Sequence, residues 1–195
     1  MAHAFERLMK IVRTQLPGAV DDAIRLELFN VLNMFLRDTG AWREDIPVAL
    51  VAGVTDYAVT PESTNAALIV RLQSVTDDVT NVRVPMTMSE PGELVAVTEP
   101  STSQNVTATV VLTVGDPQTS DGYPFVPEWI VQQYYTALAA GVVGAMMASP
   151  AKPYTNERLA ILNTRRFNTA KAMARVGTLH DNLQSAQAWR FPQFA

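Results

Sequence analysis

The chain has 195 residues, 48% of them hydrophobic and 17% charged, with a formal net charge of −4. That length suits one domain, or one domain carrying a sizeable insertion, and the composition is that of a packed globular protein rather than a disordered one. The acidic balance argues against a general nucleic-acid binder, and the absence of cysteine excludes disulfides, thiol nucleophiles and cysteine-held metals while suiting a reducing cytosol.

The first residues lack an apolar core followed by a small-residue cleavage site, so no signal peptide is expected. A short helix over Phe5–Gln15 is predicted to break at Leu16-Pro17-Gly18. A stronger helix follows, with Asp21 and Asp22 at its positive end. Ile24, Leu28, Val31, Leu32 and Phe35 fall on one face of it, and Gly40 stands where a left-handed cap belongs.

The middle of the chain changes texture. Short β-branched runs at 47–51, 67–72, 82–84, 94–97 and 106–114 alternate with turn-prone clusters, which predicts a small, mainly antiparallel sheet. Helical character returns at Pro127, a favoured first helical position, and runs to about Ala148 before Pro150 and Pro153 end it. A last helix starts with Thr155 as its cap and continues to about Val176, with Gly177 as a possible break. Two helices joined by a short link pack as an antiparallel hairpin. The expected fold class is therefore α+β. Residues 1–43 and 125–183 form a helical bundle, 44–124 a β-rich insertion, and 184–195 an extended C-terminal arm.

From Trp129 to Ala151 there is no charged residue, a length that nominally spans a bilayer. Gln132, Gln133, Thr136 and Ser149 interrupt it, and a helix buried all round gives the same pattern. No membrane span is expected. Such a helix has more apolar circumference than one hairpin covers, and Ala140, Gly141 and Gly144 would permit close approach of another copy. The charges also sort by region. Residues 44–124 hold eleven acidic side chains against Arg71 and Arg83, a balance of −9, whereas the remainder balances to +5. This is either ordinary surface charge or a body with two different neighbours.

The search for chemistry is negative. His3 and His180 have no partner at ligand spacing, and His180-Asp181 are neighbours that point apart. The pairs Asp21-Asp22, Glu44-Asp45 and Asp77-Asp78 fit helix-start and turn roles better than catalytic ones. No phosphate loop, nucleophile elbow or calcium loop occurs, so neither metal nor cofactor is expected, and the protein is not read as an enzyme.

In the last helix Arg158, Arg165, Arg166, Lys171 and Arg175 scatter around the axis. Leu159, Leu162, Ala170 and Met173 share a face through whose middle Arg166 projects, so Arg166 either snorkels past the core edge or pairs with a carboxylate. The tail holds Trp189, Phe191 and Phe194 around Pro192. These aromatics either fold back on their own core or anchor the arm in a neighbour.

Several stretches, in order, carry a family resemblance: Phe-Leu-Arg-Asp-Thr-Gly-Ala-Trp-Arg-Glu at 35–44, Ile-Pro-Val-Ala-Leu-Val-Ala-Gly-Val-Thr-Asp-Tyr-Ala-Val-Thr-Pro at 46–61, Ala-Leu-Ile-Val-Arg-Leu-Gln-Ser-Val at 67–75, and the long run from Val126 through Pro153 to Asn156, followed by Phe167 and Ala170. This arrangement resembles the head-to-tail adaptor, or tail-tubular, proteins of tailed bacteriophages. The likeness covers most of the chain and is strongest at 30–75 and 124–175, whereas 76–123 aligns with nothing in that family. The resemblance implies a structural protein of the virion neck, made in the host bacterial cytoplasm, that forms a dodecameric ring beneath the portal protein. It also implies a tail or further neck protein as partner, helices forming the ring body, a β-rich part facing the tail, and passage of double-stranded DNA through the centre. An acidic lumen would let that DNA slide, since phosphate binding needs basic partners.

Three alternatives stand beside it. A tail-tube or capsid-stabilising protein would also be structural. A carbohydrate-binding module would need aromatic platforms, for which Tyr57, Tyr123 and Trp42 are the candidates, and a hydrolase would need a nucleophile–base pair that the sequence does not offer.

Overall fold

The computed structural model describes residues 2–61, 67–115 and 126–183. The fold is α+β, with helices at both ends of the chain flanking two small antiparallel sheets. Helix α1 (Ala2–Gln15) buries Phe5, Leu8, Met9 and Val12, one stripe at helical spacing. The chain turns at Gly18, whose φ of 82° an L side chain rarely adopts. Helix α2 (Asp21–Thr39) begins there. Across the turn Arg13 Nε donates to Asp21 Oδ1 at 2.7 Å, so Asp21 joins two helices as well as sitting at a positive helix end.

The expected α2 stripe is buried as a unit, and Gly40 ends the helix with φ 62° and its N–H on Leu36 O at 2.9 Å.

Helix α3 (Glu128–Ala148) lies among the others, packed on α1, α2 and α4 (Glu157–Leu183). Pro127 is its cap rather than its first helical residue, because its ψ of 132° is extended. The α4 cap also differs from expectation. Asn156 accepts the Leu159 N–H on its side chain at 3.1 Å, while Thr155 Oγ1 donates to Ser149 O at 2.6 Å and braces the connection. Gly177 does not break α4. A helical glycine costs about 1 kcal/mol, and beyond it Thr178 Oγ1 donates to Thr39 O at 2.8 Å while Arg43 Nη2 donates to Thr178 O at 2.7 Å.

The glycines of α3 set how closely the helices approach. A Cβ on Gly141 would lie 2.6 Å from Val31 Cγ1 and 3.0 Å from the Phe167 ring, and one on Gly144 would lie 2.9 Å from Thr164 Oγ1. Both glycines are buried, so the close approach expected between copies occurs between helices of one subunit. Phe35 joins the same contact, its ring centroid 4.8 Å from Tyr134 and 6.2 Å from Phe167. The core-facing side of α4 is Ala160, Asn163, Phe167 and Ala174. Leu159, Leu162 and Met173, expected as its apolar face, are exposed. The α3 glycines shape this side: Gly144 lies against Thr164 and Ala160, and Gly141 leaves room for the Phe167 ring. Among the described residues no helix is long and apolar enough to cross a membrane.

The first sheet has the order β1-β6-β3, with β1 (Arg43–Leu50), β3 (Ala67–Asp77) and β6 (Gln104–Val114), both neighbours antiparallel to the central strand. Residues 110–114 of β6 are all buried because the sheet lies against α2 there, and Thr113 Oγ1 donates to Asn33 Oδ1 at 2.7 Å. The second sheet has the order β2-β5-β4, with β2 (Asp56–Ala58), β4 (Met86–Glu90) and β5 (Glu93–Ala96).

Three strand expectations need correction. Strand β3 extends to Asp77, since β6 supplies partners for its polar second half across two register shifts. The run at 82–84 is not a strand but a single bridge of Arg83 to Thr76, and β2 and β4 were not expected at all. The buried apolar side chains of helices and sheets form one continuous cluster.

Candidate interaction surface

Helix α4 is the element whose chemistry its own subunit uses least. Opposite its buried stripe, Leu162, Met173 and Val176 are 44%, 70% and 52% exposed, with Arg158 and Arg165 beside them. Placed at 100° per residue, these five share one side of the helix. Large apolar side chains exposed singly are normal on a protein surface, whereas these three share one helix face with two arginines.

Toward the end of α4 this surface continues into a cleft of about 710 Å³ between the last turn of α2, strand β3 and α4. Arg37, Arg71 and Arg175 line it, and the guanidinium of none of them makes a hydrogen bond or ion pair with another described residue. Asp38, its one carboxylate, pairs with Lys171 Nζ at 2.5 Å, and that ammonium also lies 5.3 Å from the Phe167 ring centroid. The cleft is therefore a concentration of positive charge in a chain whose net charge is negative.

The expected site residues divide. Ala140 is half-buried and Arg166 exposed, both lining a second cavity of about 350 Å³ between α1, α3 and α4 with Tyr135 and Asn163. Arg166 thus lies outside the core and makes no ion pair with another described residue. Gly141 and Gly144 are taken up by packing within the subunit. Trp189, Phe191 and Phe194 lie outside the described residues. Trp42 and Tyr57 are core side chains, the tyrosine hydroxyl donating to Val54 O at 2.7 Å, so neither offers a stacking platform; Tyr123 lies outside the described residues.

Trp129, read from sequence as part of a helix buried all round, is 49% exposed at the start of α3. Its position next to Gln132 and Gln133, both exposed, is the signal that could have found it.

Asp21-Asp22 open α2 and Asp77-Asp78 hold a turn, but Glu44-Asp45, expected at a turn, lie within β1 because β6 pairs with both. Asp77 Oδ1 accepts from Thr80 N at 2.6 Å, Thr80 Oγ1 at 2.8 Å and Val79 N at 3.0 Å, holding a turn completed by Asn81 at φ 55°. The Thr80 backbone N–H, then its hydroxyl, then the Val79 N–H hold this carboxyl below its ordinary pKa, against the opposing effect of burial. Asp45 and Asp78 accept from Thr109 and Thr107 across the sheet, each at 2.6 Å. Among the described residues no group of three or more His, Asp and Glu side chains could hold a metal ion. The chain matches no protein-family model and shows no significant similarity to a curated protein.

Proposed function

We propose that the protein is a structural subunit of the neck of a tailed bacteriophage, forming a ring that joins head to tail and leaves a passage for DNA. One observation carries the reading: α4 bears large exposed apolar side chains between arginines on the side turned away from its own core. Burying Leu162, Met173 and Val176 contributes about 1.5–3 kcal/mol each for full burial, less in proportion to the area already covered. Copies of the same chain around a closed ring supply that cover at every position. The order of motifs at 30–75 and 124–175 supports the same reading through its resemblance to head-to-tail adaptors. In the neck the partners are the portal protein on one side and a tail or further neck protein on the other.

Native mass spectrometry and negative-stain imaging of the full chain test the ring. Closed rings of one stoichiometry, twelve by the resemblance, are expected. A protein that stays monomeric at micromolar concentration and occurs singly in particles would overturn it. Imaging of particles separates the neck from the other structural reading, in which the subunit belongs to the tail tube or the capsid surface.

A further inference from the structure

Three arginines line the cleft between α2, β3 and α4, and the one carboxylate in it is already engaged by Lys171. Like charges gathered in a concave site raise its potential and make it a receptor for anions, with carboxylates and phosphates both fitting the guanidinium fork. The rim decides between them. Ala172, Val176 and Leu179 border the cleft, the last two 52% and 54% exposed, so the fitting occupant brings apolar atoms together with its negative charge. A phosphate backbone would leave that rim in water.

The chain carries a segment of this kind. Strands β4 and β5 are joined by Pro91-Gly92, with Gly92 at φ 91°. Glu90 and Glu93 face each other across the hairpin as a registered pair, and both are exposed. Like charges directly opposite on neighbouring strands are destabilising, a cost that an external cation removes. The tip thus presents two carboxylates with an exposed proline between them. Among the described residues neither glutamate forms an ion pair with the cleft of its own subunit.

We propose that the arginine cleft receives the β4–β5 hairpin tip of a second copy, with Glu90 and Glu93 accepting from Arg37, Arg71 and Arg175 while Pro91 lies on the apolar rim. Cleft and tip are different surfaces of one chain, so the contact is head-to-tail and can repeat around a ring. The proposal rests on the ring reading and adds to it which two surfaces meet. It also makes the hairpin tip a contact rather than part of the channel lining.

The test uses two charge reversals in the full chain, Arg71→Glu/Arg175→Glu and Glu90→Arg/Glu93→Arg, followed by sedimentation velocity and native mass spectrometry. Each alone is expected to weaken self-association at least about tenfold with the circular dichroism spectrum unchanged, and an equal mixture of the two is expected to recover it. The milder Arg71→Gln/Arg175→Gln and Glu90→Gln/Glu93→Gln variants keep the comparison sound if a reversal disturbs folding. Assembly of both variants like the wild type would overturn the pairing and leave the ring reading intact, whereas a monomeric wild type would remove both. Loss in the arginine variant alone, without recovery on mixing, would assign the cleft to another acidic surface and overturn the pairing. Double-stranded DNA retained by wild-type rings, and lost by arginine-variant rings of unchanged size, would assign it to phosphate and overturn it too.

Discussion

The Phe167 ring lies against the backbone of Gly141 so closely that a methyl group there would sit 3.0 Å from ring Cδ2. On the other side the same methyl would meet Val31 Cγ1 at 2.6 Å, so one residue without a side chain fixes the spacing of three helices. Gly141→Ala is expected to destabilise the fold by about 1–3 kcal/mol through overpacking, partly offset by about 1 kcal/mol of better helix propensity. Gly177 supplies the control. It is helical, and a Cβ there meets nothing within 4 Å, so Gly177→Ala is expected to stabilise by up to about 1 kcal/mol. Thermal melts of the two variants check the opposite signs; a neutral or stabilising Gly141→Ala would show that the helices separate easily.

This contact also shows how far the sequence could be read. Helix α2 was legible because its large apolar residues recur at helical spacing and its end carries a glycine cap. Helix α4 was legible as a helix but its inward face was not, because that face is set by the fit to α3, where Phe167 packs on Gly141. Ala160, Asn163 and Ala174 face the core, while Leu159, Leu162 and Met173 do not, and a hydrophobicity pattern selects the wrong side. Strands β2 and β4 escaped for another reason. They are three and five residues long, and Asp56, Ser89 and Glu90 read as turn or solvent positions until pairing with β5 supplies the ladder. The candidate site was legible only in part. Lys171 and Arg175 were visible as cations scattered on α4, but Arg37 and Arg71 join them only through tertiary packing of α2 and β3.

Asp77 gives the fold a pH dependence of known sign. Its carboxylate is stabilised by three donors, led by the Thr80 N–H, and its folded pKa lies below the ordinary 3.8. A group with a depressed folded pKa contributes stability that is present above the unfolded pKa and lost as the pH falls through the folded one. The Asp77→Asn variant, which keeps the shape but not the charge, is thus expected to melt below the wild type at neutral pH. The difference should shrink as the pH drops below about 4. A difference independent of pH between 7 and 3 would mean that the charge of Asp77 contributes nothing to the turn.

Arg166 tests the second cavity. It is exposed beside Ala140 and Tyr135 and has no ion-pair partner among the described residues. If a carboxylate of a neighbouring subunit meets it in the ring, Arg166→Met will impair assembly more than Arg158→Met does, with monomer stability changed by less than about 0.5 kcal/mol in both. Equal and negligible effects on assembly would show that Arg166 only covers the edge of its own core.

The outward face of α4 separates folding from association. Met173 is 70% exposed and Ala160, on the same helix, 4%. An aspartate at the first position stays in water in the isolated subunit, whereas at the second it is driven into the core. Surface substitutions away from special features stay within about 0.5 kcal/mol, but a buried unpaired charge costs several kcal/mol or unfolds the chain. Met173→Asp should therefore leave the melting temperature nearly unchanged and still weaken self-association, because the ring would have to bury that carboxylate among apolar side chains. Ala160→Asp should lower stability severely whatever the oligomeric state. Chemical denaturation at low protein concentration, paired with sedimentation at high concentration, measures the two effects apart. Normal rings from Met173→Asp would mean that the apolar face of α4 stays in solvent, and the strongest support for a ring built on this helix would be gone.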